Sequence, residues 1–208
     1  KARMRPWVSG EGSVSIRING VAMAFLAASI VVVPVQGQSL GQRVRAVGTG
    51  TADLHFTARR GVCGDGRESF SFGNGMHFGT WYGSSSSGLT PACVAGPARV
   101  RLRVERGTIT SVRVGVGPAP SRDEGATDLG AVPSPEAAAF FLALADSADG
   151  DVGRRAIVAA VLADSVSVWP KLLAIATDTA RVSRRTRHDA TFWVGSSNMT
   201  LGGWPVQT

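Results

Sequence analysis

The sequence predicts an α+β protein: a small antiparallel β-rich region holding one disulfide, followed by a helical region. Three observations carry that prediction. Apolar residues recur at period two between residues 51 and 116, then change after residue 133 to the three-to-four spacing of helices. Charge divides the same way: residues 38–119 hold ten arginines against four acids, whereas residues 120–208 hold eight basic residues against ten acids. Both cysteines, Cys63 and Cys93, fall in the first region.

Before these regions, residues 1–37 read as a secretory signal peptide. Lys1, Arg3, Arg5 and Arg17 form a basic lead, residues 21–33 an unbroken stretch of apolar and small residues, and Val35 and Gly37 the small residues at the −3 and −1 positions. A membrane span needs ~20 apolar residues, so the stretch is short for one. Cleavage is expected near Gly37–Gln38, leaving no stable membrane span and a periplasmic or extracellular protein. In that oxidising setting an even pair of cysteines reads as a disulfide, Cys63–Cys93.

Residues 38–119 are expected to be the β-rich region, opening with a polar tether over residues 38–49. Ala52, Leu54 and Phe56 alternate with Asp53, His55 and Thr57, as a half-buried strand requires. A short strand around residues 68–72 precedes the turn signal Gly73-Asn74-Gly75. Val100, Leu102 and Val104 alternate with Arg99, Arg101 and Arg103; Arg106-Gly107 turns the chain, and Ile109, Val112, Val114 and Val116 form the partner strand. The alternation breaks near Ser111, which predicts a bulge.

Residues 120–133, rich in proline, glycine and acids, are expected to be a linker. Helices follow over residues 134–195. Ser134 is the expected N-cap ahead of Pro135 and Glu136, and Asp151 of the second helix, after a break at Asp149-Gly150. Trp169-Pro170 opens a third helix, and Ser183 a fourth that ends around residues 192–195. An irregular tail is expected over residues 196–208.

The second and fourth helices superpose at an offset of 34, which lays Ala156 on Ala190, Val158 on Phe192 and Ala160 on Val194. Pro135 and Pro170 are 35 apart. A helix pair recurring at fixed period is the signature of an α-solenoid. With its proline-led Pro170-Lys171-Leu172-Leu173, the segment Asp151-Val152-Gly153-Arg154-Arg155-Ala156 and the imperfect echo Arg187-His188-Asp189-Ala190, the stretch 134–195 resembles HEAT-type helical repeats. The resemblance implies stacked helix pairs that present a face to a protein partner.

Motifs for chemistry are sparse. Cys63, Cys93, His55 and His77 lack the close-spaced cysteine or histidine pairs of a zinc site. Neither a nucleophile elbow nor a phosphate-binding glycine loop occurs, and Asp146, Asp149 and Asp151 fall short of a calcium loop. No metal and no cofactor is expected. The leading expectation is an exported, non-catalytic binding or scaffold module of the cell envelope, holding a protein partner through its helices. One rival is an envelope hydrolase using Ser84, Ser85, Ser86 and Ser87 with His77. The other binds anionic envelope polymer or lipid through Arg99, Arg101 and Arg103, which share one strand face at ~7 Å intervals. Export argues against nucleic acid as the partner.

Overall fold

The computed structural model describes residues 37–73, 76–79, 93–118 and 125–200. Residues 1–36 of the expected export segment 1–37, and Ser84 to Ser87, lie outside these residues. Residues 40–46, expected within the tether, form helix α1 (Leu40–Ala46). Ser39 and Gln42 make a reciprocal capping box, each side chain accepting from the other's backbone N–H. Two of the orphan N–H groups of the helix start are thereby satisfied. Leu40 and Val44, one turn apart, are buried, and the Arg43 guanidinium donates to the Leu129 carbonyl.

Strand β1 (Gly50–Phe56) buries Ala52, Leu54 and Phe56, as the alternation predicts. Strands β2 (Val62–Gly64), β3 (Phe70–Phe72), β4 (His77–Phe78) and β5 (Val94–Ala95) make a small sheet ordered β4-β3-β2-β5. Cys63 and Cys93 are disulfide-bonded, with Cα atoms 5.0 Å apart. Next comes the predicted hairpin of β6 (Ala98–Glu105) and β7 (Thr108–Val116). Arg106 and Gly107 turn it with φ of 51° and 75°, the two positive angles of a type I′ turn. Arg103 faces Ser111 while Val104 faces Ile109, so Thr110 is the extra residue of a bulge.

Residues 126–131, expected within the linker, instead form β8 (Ala126–Ala131), which pairs parallel to β1 at the edge of the main sheet, ordered β7-β6-β1-β8. None of its six residues is fully buried. An edge strand held by backbone hydrogen bonds, with neither face in the core, leaves no period-two hydrophobic signal.

Four helices follow among the described residues: α2 (Ser134–Ser147), α3 (Gly150–Val161), α4 (Trp169–Thr177) and α5 (Arg184–Thr200). Two expected caps move. Ser134 is the first helical residue after Pro133, and its hydroxyl donates to the Thr57 carbonyl instead of capping. Asp149, not Asp151, occupies the cap position of α3; Asp151 sits in the first turn and pairs with Arg154. Ser183 behaves as expected, its hydroxyl accepting from the Thr186 N–H at 3.3 Å. Helix α5 continues to Thr200, past its expected end and into the tail.

The helices pack as α2 on α3 and α4 on α5, and the pairs meet through α3 against α5 and α2 against α4. The apolar face of the main sheet lies on the first pair: β7 contacts α3, and the Phe56 and Phe141 rings sit 6.2 Å apart. Strand and helix residues therefore share one core, from Leu40 through Leu102 and Ile157 to Trp193. A sheet with one apolar face needs a second layer to cover it, and α2 and α3 supply it.

Candidate functional site

The alternation that buries Ala98, Val100, Leu102 and Val104 turns Arg99, Arg101 and Arg103 to the opposite, polar face of the main sheet. The three are not equivalent there. Arg101 makes a two-pronged ion pair with Asp53, its register partner on β1, with Nε to Oδ1 and Nη2 to Oδ2 both 2.8 Å. Arg103 is exposed and bonded to exposed Glu105 at 3.0 Å. Among the described residues Arg99 donates only from Nε, to the Gly117 carbonyl at 3.1 Å.

Segment 66–68 folds over this polar face. The Gly66 N–H donates to the Val116 carbonyl at 2.8 Å. The Arg67 carbonyl lies so close to β7 that a Cβ at Gly115 would sit 1.4 Å from its oxygen. Sheet and segment bound a half-open cavity of about 590 Å³ lined by Arg67, Arg99, Arg101, Arg113 and His55, together with the carboxylates Asp53, Glu68 and Asp128. Arg103 is outside it. Sequence reasoning missed Arg67, because no local pattern marks a loop residue that returns onto a sheet, and it missed Arg113 although alternation with Val112 and Val114 puts it on the polar face of β7.

A larger cleft of about 1210 Å³ opens between the small sheet and helices α3 and α5. Its apolar wall is a ring stack: Phe78 lies 5.3 Å from Phe70 and 5.0 Å from Trp193, nearly parallel to both. Charged groups line the rim in pairs. Glu68 holds Arg155 at 3.0 Å and Arg113 at 3.5 Å. Arg154 bridges Asp189 at 2.8 Å and Asp151 at 3.2 Å. The hydrogen bond and charge of Asp189 lead in raising the Arg154 pKa above its ordinary value. That shift moves the group away from neutrality, which suits a fixed ion pair and not proton transfer.

His77 is exposed on β4, opposite Ser71, and the serines of the hydrolase reading lie outside the described residues. His55 sits half-buried at the cavity wall, facing Arg99 across the strands. Among the described residues no cluster of histidine, cysteine and acidic side chains is placed to hold a metal, and no helix is long and apolar enough to cross a membrane.

Helix α4 carries a different surface: Trp169 and Leu173, one turn apart on it, are 44% and 45% exposed, whereas Phe192 on α5, 45% exposed, lines the larger cleft. Trp193 beside Phe192 is buried at 6%. No protein-family model, curated protein or solved structure matches the chain.

Proposed function

We propose that this chain is an exported, non-catalytic binding module of the cell envelope. In this reading its helices stack as HEAT-type pairs and hold a protein partner on the second pair. The disulfide is compatible with export. Two features support the stacking. The offset of 34 relates Ala156 to Ala190, both fully buried, and the pairs meet helix to equivalent helix, α2 to α4 and α3 to α5.

One observation carries the binding reading. At the 35-residue offset Leu173 corresponds to Ala138, which is buried at 1%, whereas Leu173 is 45% exposed. Trp169 lies one turn before it on α4. Single exposed apolar residues are common on protein surfaces, but a large aromatic and a leucine at i, i+4 make the kind of row that receives an apolar helical face of a partner.

The test is recovery of a partner from envelope extract by the wild-type chain and by a Trp169→Ser, Leu173→Ser variant. The expected result is a partner captured by the wild type and lost by a variant that keeps its circular dichroism and melting temperature. Undiminished capture by the folded variant refutes the reading.

A further inference from the structure

The polar-face cavity has a donor inventory that internal pairing leaves incomplete. Arg101 is committed to Asp53 through both prongs. Arg113 is held only loosely by Glu68, at 3.5 Å, and shares that carboxylate with Arg155. Arg99 spends Nε on the Gly117 carbonyl, and its terminal nitrogens have no hydrogen-bond or ion-pair partner among the described residues. The Arg67 guanidinium likewise has none; only its backbone N–H is bonded, to Asp65 at 2.8 Å. Guanidinium groups present their donors as a rigid planar fork that matches carboxylate and phosphate oxygens.

The arrangement is also poorly explained as a solvated strand face. Arg101 and Arg113 stand directly opposite each other across β6 and β7, and like charges in that position destabilise a sheet. Arg103, one step along the same face, illustrates the ordinary case: it is exposed, paired with Glu105 and outside the cavity. Arg67, Arg99 and Arg113 instead line a concavity of about 590 Å³, one wall of which is held where the backbone of segment 66–68 meets β7. That wall depends on the contact of the Arg67 carbonyl with Gly115, where any side chain would collide. Clefts of ~300–1,000 Å³ are the usual size for small-molecule sites.

We propose that this cavity binds the oxyanion group, carboxylate or phosphate, of a small molecule. Arg67 and Arg99 contact the anion, Arg113 adds positive field, and Asp53 positions Arg101 in the wall. This site goes beyond the partner face on α4 and does not depend on it.

The experiment is calorimetric titration of the full chain with inorganic phosphate and with glucuronate, at low and at physiological salt. Vesicles of phosphatidylglycerol against phosphatidylcholine form a separate arm. Saturable one-site binding is expected, weakened about tenfold by Arg67→Gln and by Arg99→Gln, the loss of one charge-assisted contact, and unchanged by Arg103→Gln. Arg99 also holds the Gly117 carbonyl, so Arg67→Gln, which breaks no side-chain hydrogen bond or ion pair among the described residues, keeps the test open if the Arg99 variant misfolds. Binding to the anionic vesicles alone, lost in Arg67→Gln, supports the same oxyanion chemistry with a lipid headgroup as its source. Absence of binding in every arm overturns the proposal. So does equal weakening by Arg103→Gln, which would assign the effect to the general charge of the strand face.

Discussion

Replacing Gly115 by alanine tests whether segment 66–68 is fastened to the sheet as the structure has it. The added Cβ would fall 1.4 Å from the Arg67 oxygen and 2.6 Å from its carbonyl carbon. Real Cβ atoms essentially never come within 3.0 Å of another heavy atom, so the loop backbone has to retreat by at least 1.6 Å. A backbone carbonyl cannot rotate out of the way as a side chain can. The retreat puts at risk the Gly66-to-Val116 hydrogen bond, worth ~1 kcal/mol, and overpacking adds ~1–3 kcal/mol, for a total loss of about 2–4 kcal/mol. Urea unfolding followed by circular dichroism measures it. Gly195→Ala is the control with the opposite sign. Its Cβ meets nothing within 4 Å on helix α5, and helix propensity favours alanine by ~1 kcal/mol. A Gly115→Ala variant as stable as the wild type would refute the placement of the loop over the sheet.

Further outcomes follow from separate parts of the fold. Breaking the Cys63–Cys93 bond by Cys93→Ser removes a crosslink across a separation of 30 residues, worth about 3.6 kcal/mol in the chain-entropy model; a loss under ~1 kcal/mol in urea unfolding would contradict it. The side-chain hydrogen bond from Arg181, then its backbone N–H, hold the Asp178 carboxyl below the usual range. A carboxyl with a depressed folded pKa contributes stability that is fully present above the unfolded value, ~3.9, and is lost as pH falls through the folded value. The melting temperature of Asp178→Asn should therefore fall less steeply below pH ~4 than that of the wild type, and parallel acid limbs would refute the assignment. Asp53→Ala removes the two-pronged carboxylate from Arg101, which faces Arg113 across the hairpin; the partly exposed pair limits the cost to ~1 kcal/mol, read by the same unfolding, and a stabilised variant would contradict it.

How much of this was legible in the sequence depended on burial. Strands β1, β6 and β7 each put one face in the core, so Ala52, Leu54, Val100, Leu102 and Val114 wrote period two into the chain. Edge strand β8 buries no residue fully and left no such trace. Helix α1 did carry a readable signal, Ser39 followed three residues later by Gln42, but seven residues lie below the length at which apolar periodicity declares a helix. The arginine row was legible as a row, not as a site: alternation gave the shared face of Arg99, Arg101 and Arg103, while the separation of Arg99 from Arg103 depends on Asp53, Glu105 and a loop reaching back over Gly115. Long-range approach of backbone to backbone has no local code beyond the glycine that permits it.

The glycine at 115 and the exposed leucine at 173 point to a division of labour between the two ends of the chain. A stack of helix pairs has two open sides, and each needs cover or a polar surface. The main sheet covers the first pair, with β7 on α3 and Phe56 against Phe141. This explains why Ala138 and Phe141 can be fully apolar and buried without a preceding helix pair. Nothing comparable lies over Trp169 and Leu173 among the described residues. If the helices are HEAT-type pairs, the sheet acts as their cap, and its polar face is left free for an anion while the far side of α4 is left free for a protein. The two proposed functions then occupy different surfaces, so Arg67→Gln should leave partner capture intact and Leu173→Ser should leave phosphate binding intact. Loss of both activities in either folded variant would mean that one surface serves both, and the division would fail.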